Sequence, residues 1–184
     1  NSFFDLRLQG GGQGSFVGVE NYLLGVQDKD LWTATWNTVL ITLVTVPGAL
    51  VMGLGLALLA NLPFKRRWPV RLALLLPWAL PLAFAGLIFA WFFHTEYGFV
   101  NDLAQRAGAE PTMWLLRPGW AMTAICVTIV WKSSSFMALI LLAGLQMIPS
   151  SLYEAAEVDG ASKGQQSREI TLPMLMPSIV VALI

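Results

Sequence analysis

The chain has 184 residues, 56% of them hydrophobic and only 12% charged, with a mean hydropathy of +0.64. It is therefore far more apolar than an ordinary soluble domain, and its composition points to helices in a lipid bilayer. With 11 basic and 11 acidic residues, the charge balance excludes a strongly basic nucleic-acid binder. The lone Cys126, inside an apolar run, excludes an intrachain disulfide and any cysteine-based metal cluster.

Residues 1–31 mix Gly10-Gly11-Gly12 with scattered charges and are too polar to span a membrane. Between Leu31 and Phe64 there is no Asp, Glu, Lys or Arg, room for a helix of about 20 residues and its ends; the span is placed at 32–64. Trp32 and Trp36 suit the water–lipid boundary at its start. Ala49, Gly53 and Ala57 recur every four residues, either as a seam for a neighbouring helix or as small residues facing lipid. A basic loop follows, with Lys65, Arg66, Arg67 and Arg71 around Trp68 and Pro69.

A second span is expected over 72–93, bent by Pro77 and Pro81, because each proline removes a backbone donor and crowds the preceding turn. Residues 94–118 form a polar loop carrying His94, Glu96, Asp102, Arg106 and Glu110. The third span, about 119–148, holds a single charge, Lys132, followed by Ser133, Ser134 and Ser135. A charge at the centre of a span costs roughly 2.5–3.5 kcal/mol on insertion scales, so it normally faces protein or a water-filled path. Three readings stay open for Lys132: lining a cavity, bonding to a neighbouring helix, or snorkelling to the lipid surface.

A polar island, 150–171, separates this span from the last apolar run, 174–184, which is short and reads as the start of a further span. Pro149 stops the preceding helix. Ser151 and Glu154 have the spacing of a capping box, and Gly160 can take the left-handed turn past a helix end. Ser162 with Gln165 offers a second helix start, which Leu172-Pro173 is expected to terminate. The basic residues set an orientation. With three crossings, Lys65, Arg66, Arg67, Arg71, Lys163 and Arg168 lie in short loops on one side, which the positive-inside rule makes cytoplasmic. Arg7, Lys29, Arg106 and Arg117 lie in longer segments on the other.

The run Glu154-Ala155-Ala156, then Asp159-Gly160-Ala161, then Ile170-Thr171-Leu172-Pro173 resembles the EAA loop of permease subunits of ATP-binding-cassette importers. Ala143-Gly144-Leu145-Gln146, Ile148-Pro149 and Tyr153 resemble the carbohydrate-importing, maltose-type branch. Phe16 to Tyr22 resembles the segment before the second transmembrane helix of such permeases, which implies a further helix before Asn1. The likeness covers most of the chain. It departs at Gly164 and Ser167, where the family usually has aromatic residues, so the packing of the loop's second half is left open.

The resemblance implies an all-α, polytopic membrane helix bundle, here a single incomplete domain with about three complete spans and a fourth begun. Its loop 150–171 would be a cytoplasmic coupling helix. Glu154, Ala155, Ala156, Asp159, Gly160, Ala161, Ile170, Leu172 and Pro173 would then dock on an ATPase subunit. Trp131, Lys132, Ser133, Ser134 and Ser135 would lie along the substrate path. The implied partners are a second homologous permease, two ATP-binding-cassette ATPases, an external solute-binding protein and the bilayer of a bacterial cell membrane. ATP and magnesium would be bound by the ATPases and no cofactor by this chain, which contains no Walker-type phosphate loop, H-E-x-x-H or G-x-S-x-G motif. The implied cargo is a sugar or oligosaccharide, with glycerol phosphate, a polyamine or another polar solute as the alternative. A membrane enzyme using Lys132 and the serines is a distant one, since no paired base, acidic dyad or metal set accompanies them.

Overall fold

The computed structural model describes residues 2–5, 15–62 and 68–184; Lys65, Arg66 and Arg67 of the basic loop lie outside the described residues. The chain divides into two units, Asn1–Leu43 and Val44–Ile184. In the first, strands β1 (Phe4–Asp5) and β2 (Ser15–Phe16) form a minimal antiparallel pair. Helix α1 (Glu20–Gln27) follows, and its Asn21 side-chain amide donates to the carbonyls of Ser2 and Phe4 at 2.9 and 3.2 Å. This pairing is the only exception to an all-helical architecture among the described residues.

Helix α2 (Lys29–Asn61) starts three residues before the expected span and takes Lys29 and Asp30 into its first turn. Its buried residues in the second unit are Thr45, Ala49, Gly53, Ala57 and Ala60, all small and almost all four apart. Such spacing keeps them on one helical face and lets another backbone approach closely. The partner is α6 (Pro118–Gln146): a Cβ placed on Gly53 would stand 2.9 Å from Met137 Cβ and 3.0 Å from the Ser134 carbonyl oxygen. The seam is a packing surface.

The stretch expected to run as one bent span over 72–93 is two helices, α3 (Trp68–Ala79) and α4 (Leu82–Phe92), whose axes meet at 96°. Pro77 is accommodated inside α3, so the break falls at Leu80-Pro81. Pro81 has no N–H to give the carbonyl one turn back, and its ring crowds that turn. Among the described residues, α2 and α6 are each long and apolar enough to cross a membrane, and a third crossing requires the bent pair to count as one span.

Helix α6 is the axis of the second unit. It packs on α3, on α4 and on α9 (Leu172–Leu183), with a core of Ala57, Ala60, Leu74, Leu141, Leu142, Leu145, Ile148 and Leu175. Gly144 lets α9 come close: a Cβ there would lie 2.8 Å from Ser178 Cβ and 2.9 Å from Leu175 Cδ1. Between α4 and α6, the polar loop carries a short helix, α5 (Phe99–Arg106). Buried Asn101 organises it, donating to the carbonyls of Thr95 and Thr112 (both 2.9 Å) and accepting from Thr112 N–H (3.0 Å) and Trp114 Nε1 (2.9 Å).

Candidate functional site: the loop between α6 and α9 and the polar step of α6

Helix α7 (Ser150–Val158) begins directly after Pro149, which is its N-cap. The expected capping box of Ser151 and Glu154 does not form: no side chain caps α7, and Ser151 already lies inside the helix. The reason is that Pro149 takes the extended conformation preceding the first turn, two residues too early for Ser151 to serve. Glu154 is exposed and free of any intrachain capping duty.

The other end is sharply defined. Gly160 has φ +76°; its N–H bonds the Glu157 carbonyl at 3.1 Å, and the Ala161 N–H bonds the Ala156 carbonyl at 2.8 Å. These two bonds are the Schellman pattern, which satisfies the last carbonyls of the helix and reverses the chain. Ser162 then caps α8 (Lys163–Gln166) in a reciprocal box with Gln165, as the spacing predicts. Lys163 pairs with Glu157 across the turn. That hydrogen bond and charge hold the Glu157 carboxyl below the usual carboxylate range.

Leu172-Pro173 does not end this helix, contrary to the sequence expectation. Residues Ser167–Thr171 form a π turn, with the Leu172 N–H reaching back to the Ser167 carbonyl, and the chain runs on into α9. A proline is tolerated in the first turn of a helix, where its missing N–H has no partner to lose. The wider turn immediately before it makes room for the ring. Tyr153 Oη and Thr171 Oγ1, 2.9 Å apart, tie α7 to this π turn. Buried Gln166 and half-buried Ile170 face inward, whereas Ala155, Asp159, Leu172 and Pro173 are exposed and Ala156 and Ala161 half-buried. The loop is thus a folded knuckle between two apolar helices, with Glu154, Ala155 and Val158 (89% exposed) on its outer surface. The bonded pairs Tyr153–Thr171 and Glu157–Lys163 were not singled out by sequence reasoning, because neither has a recognisable local spacing.

The polar step on α6 divides between two hollows. Lys132 and Ser133 line one of about 630 Å³, together with Trp78, Leu82, Phe136 and Met137. The Trp78 and Phe136 rings there are stacked, with centroids 5.9 Å apart. Trp131, Ser134 and Ser135 face the other way, toward α2 and α3, around a hollow of about 300 Å³. Consecutive helical residues turn by about 100°, so five neighbours cannot share one face. Lys132 Nζ donates to the carbonyls of Leu80 (2.5 Å), Trp78 (3.2 Å) and Pro77 (3.4 Å). Of the three readings open for this lysine, the bond to a neighbouring helix is the one that its contacts show, and it also borders the larger hollow. Ser134 bonds back to the Trp131 carbonyl (3.0 Å), and Ser135 donates to the Leu74 carbonyl. Among the described residues no group of His, Cys, Asp and Glu could hold a metal ion.

A bundle of apolar helices around a proline-broken span, joined by a folded polar knuckle, is the architecture of a membrane permease. Residues 30–184 match the family described as the inner membrane component of binding-protein-dependent transport systems, and the chain belongs to it. It is 67% identical over 183 residues to the sulfoquinovosyl glycerol transport system permease protein of Agrobacterium fabrum, covering 100% of this chain and 59% of that one. It is 41% identical over 169 residues to the trehalose/maltose transport system permease protein of Thermococcus litoralis, covering 92% and 57%. A solved bacterial ABC transporter involved in import of the acidic polysaccharide alginate superposes with a TM-score of 0.82 at 26% identity, over 91% of this chain and 59% of that one. The chain thus spans less than two thirds of the length of these relatives.

Proposed function

We propose that this chain is the greater part of a permease subunit of an ATP-driven importer, carrying a sugar or sugar derivative handed over by an external solute-binding protein. The observation that carries the reading is the knuckle 150–171 itself. It is closed by the Gly160 turn, capped by Ser162, tied by Tyr153 to Thr171, joined to α6 by a three-residue turn and continuous with α9 through the π turn. A surface pushed by a neighbouring ATPase moves both helices together, because the connecting turns are short and the knuckle is held by the Gly160 turn and the Tyr153–Thr171 bond. Rocking of docked helices in this way switches a bundle between inward- and outward-facing states. Glu154, Ala155, Ala156, Asp159, Gly160 and Ala161 form the contact surface, with Ile170, Leu172 and Pro173 setting the angle at which α9 leaves it. The complete transporter pairs this subunit with a second permease and two ATPases, which bind the ATP and magnesium.

The named substrates of the two relatives above are sugars or sugar derivatives, and a related alginate transporter was solved with a sugar-loaded periplasmic protein. Both support a carbohydrate cargo here. The hollow beside α6, with the Ser133 hydroxyl, the Lys132 charge at its border and the Trp78 and Phe136 rings, offers a polar group and aromatic surface suited to a sugar. Topology is the first test. In a full-length Cys126→Ala background, Asp102→Cys should react with a membrane-impermeant thiol reagent in intact cells, and Lys163→Cys only after permeabilisation. The reverse pattern removes the knuckle from the cytoplasm and overturns the docking.

A further inference from the structure

The broken span leaves backbone carbonyls without donors. In an unbroken helix the residue at position 81 would donate to the Pro77 carbonyl and Leu82 to the Trp78 carbonyl. Pro81 has no N–H, and the 96° bend carries Leu82 away. In a bilayer such groups find no water, and each one left unpaired is expensive. Lys132 reaches across from α6 and donates to Pro77, Trp78 and Leu80. A lysine has three N–H donors, so donors and acceptors match in number. The negative end of α3 further favours a cation at this point. Three residues on, from the side of α6 turned toward α2 and α3, Ser135 donates to the Leu74 carbonyl within α3, and both it and Ser134 are fully buried.

We infer that Lys132, with Ser135, is a positioning residue that pins the break of the α3–α4 span to α6. The break borders the larger hollow through Trp78 and Leu82. At its C-terminal end α6 stops at Gln146, and a three-residue turn ending in Pro149 joins it to α7, so one helix links the pinned break to the start of the knuckle. Movement of the knuckle is delivered to the hollow's wall through the lysine. This step rests on the coupling function proposed above, whereas the pin itself does not.

The test uses the full-length permease in its assembled transporter in lipid, reading thermal unfolding and substrate-stimulated ATP hydrolysis for the same samples. Lys132→Met strips the break of its donors; it should lower the unfolding temperature and remove most of the stimulation, and Lys132→Arg should restore much of both. Pro81→Ala returns an N–H to the Pro77 carbonyl, so in that background Lys132→Met should cost clearly less stability than in the wild type. If Lys132→Met fails to accumulate, recovery of the protein by Pro81→Ala supports the pin. Equal loss with and without Pro81, or wild-type stability in Lys132→Met, overturns it. Should the stability cycle come out as expected while stimulation stays at the wild-type level in Lys132→Met, the pin stands and the transmission through it is overturned. Wild-type protein without any stimulation would instead count against the coupling function, leaving the stability cycle to decide the pin.

Discussion

Gly160 is the most exposed point of the coupling reading. Its φ of +76° lies in the left-handed region, and a Cβ built there would meet nothing within 4 Å. Any penalty for Gly160→Ala is therefore one of backbone conformation alone, about 1–2 kcal/mol for a residue with a Cβ in this region. That is a factor of roughly 5–30 in the population of the correctly turned loop. Gly160→Pro adds three further violations. The ring fixes φ near −65°, the N–H bond to the Glu157 carbonyl (3.1 Å) is lost, and Asp159, now before a proline, is driven from its helical geometry (φ −75°, ψ 0°). The Schellman turn cannot form, and α8, the π turn and the start of α9 are re-aimed. The assay is co-purification of the ATPase with the full-length permease, followed by substrate-stimulated ATP hydrolysis in lipid. Gly160→Ala should weaken both by up to the factor above, and Gly160→Pro should abolish stimulation while the helices still insert. Wild-type stimulation and co-purification in Gly160→Pro would refute the claim that this knuckle couples the two machines.

The two serine signals separate cleanly: Ser162→Ala should cost about 0.5–2 kcal/mol of local stability, read as faster amide exchange over α8, whereas Ser151→Ala should be silent because no cap is lost. Glu154→Ala should also be mild, since only an exposed ion pair with a partner remains for it, about 0–1 kcal/mol, measurable as ATPase affinity. Gly53→Val and Gly144→Val should each reduce the yield of folded protein, because the added atoms collide with Met137 and the Ser134 carbonyl, or with Ser178 and Leu175, an overpacking cost of about 1–3 kcal/mol. For Glu157, the lowered carboxyl means that its link to Lys163 is present above the ordinary carboxylate range and lost as pH falls through the depressed folded value. A carboxyl NMR titration should therefore place Glu157 at lower pH in the wild type than in Lys163→Met.

Much of this molecule was legible in its sequence. Charge-free runs marked where α2 and α6 lie because a bilayer core tolerates no unpaired charge, so length and composition carry the signal. Gly160 and the Ser162–Gln165 box were readable because each is a local bargain between a side chain and backbone within a few residues. The same locality misled at Ser151 and at Pro173. Each has a valid motif spacing, but where a helix begins or continues depends on the turn before it, and Pro149 and the π turn decided that. The sequence marked Lys132 as unusual without showing its partners, which are carbonyls more than 50 residues away in the chain. Its role arises from a break made by Pro81, and no spacing rule links the two. Only the tertiary structure could bring the orphaned carbonyls of α3 to the ammonium of α6. Likewise only helix packing could choose between lipid and protein for the Ala49–Gly53–Ala57 face, since a small side chain suits either until another backbone arrives.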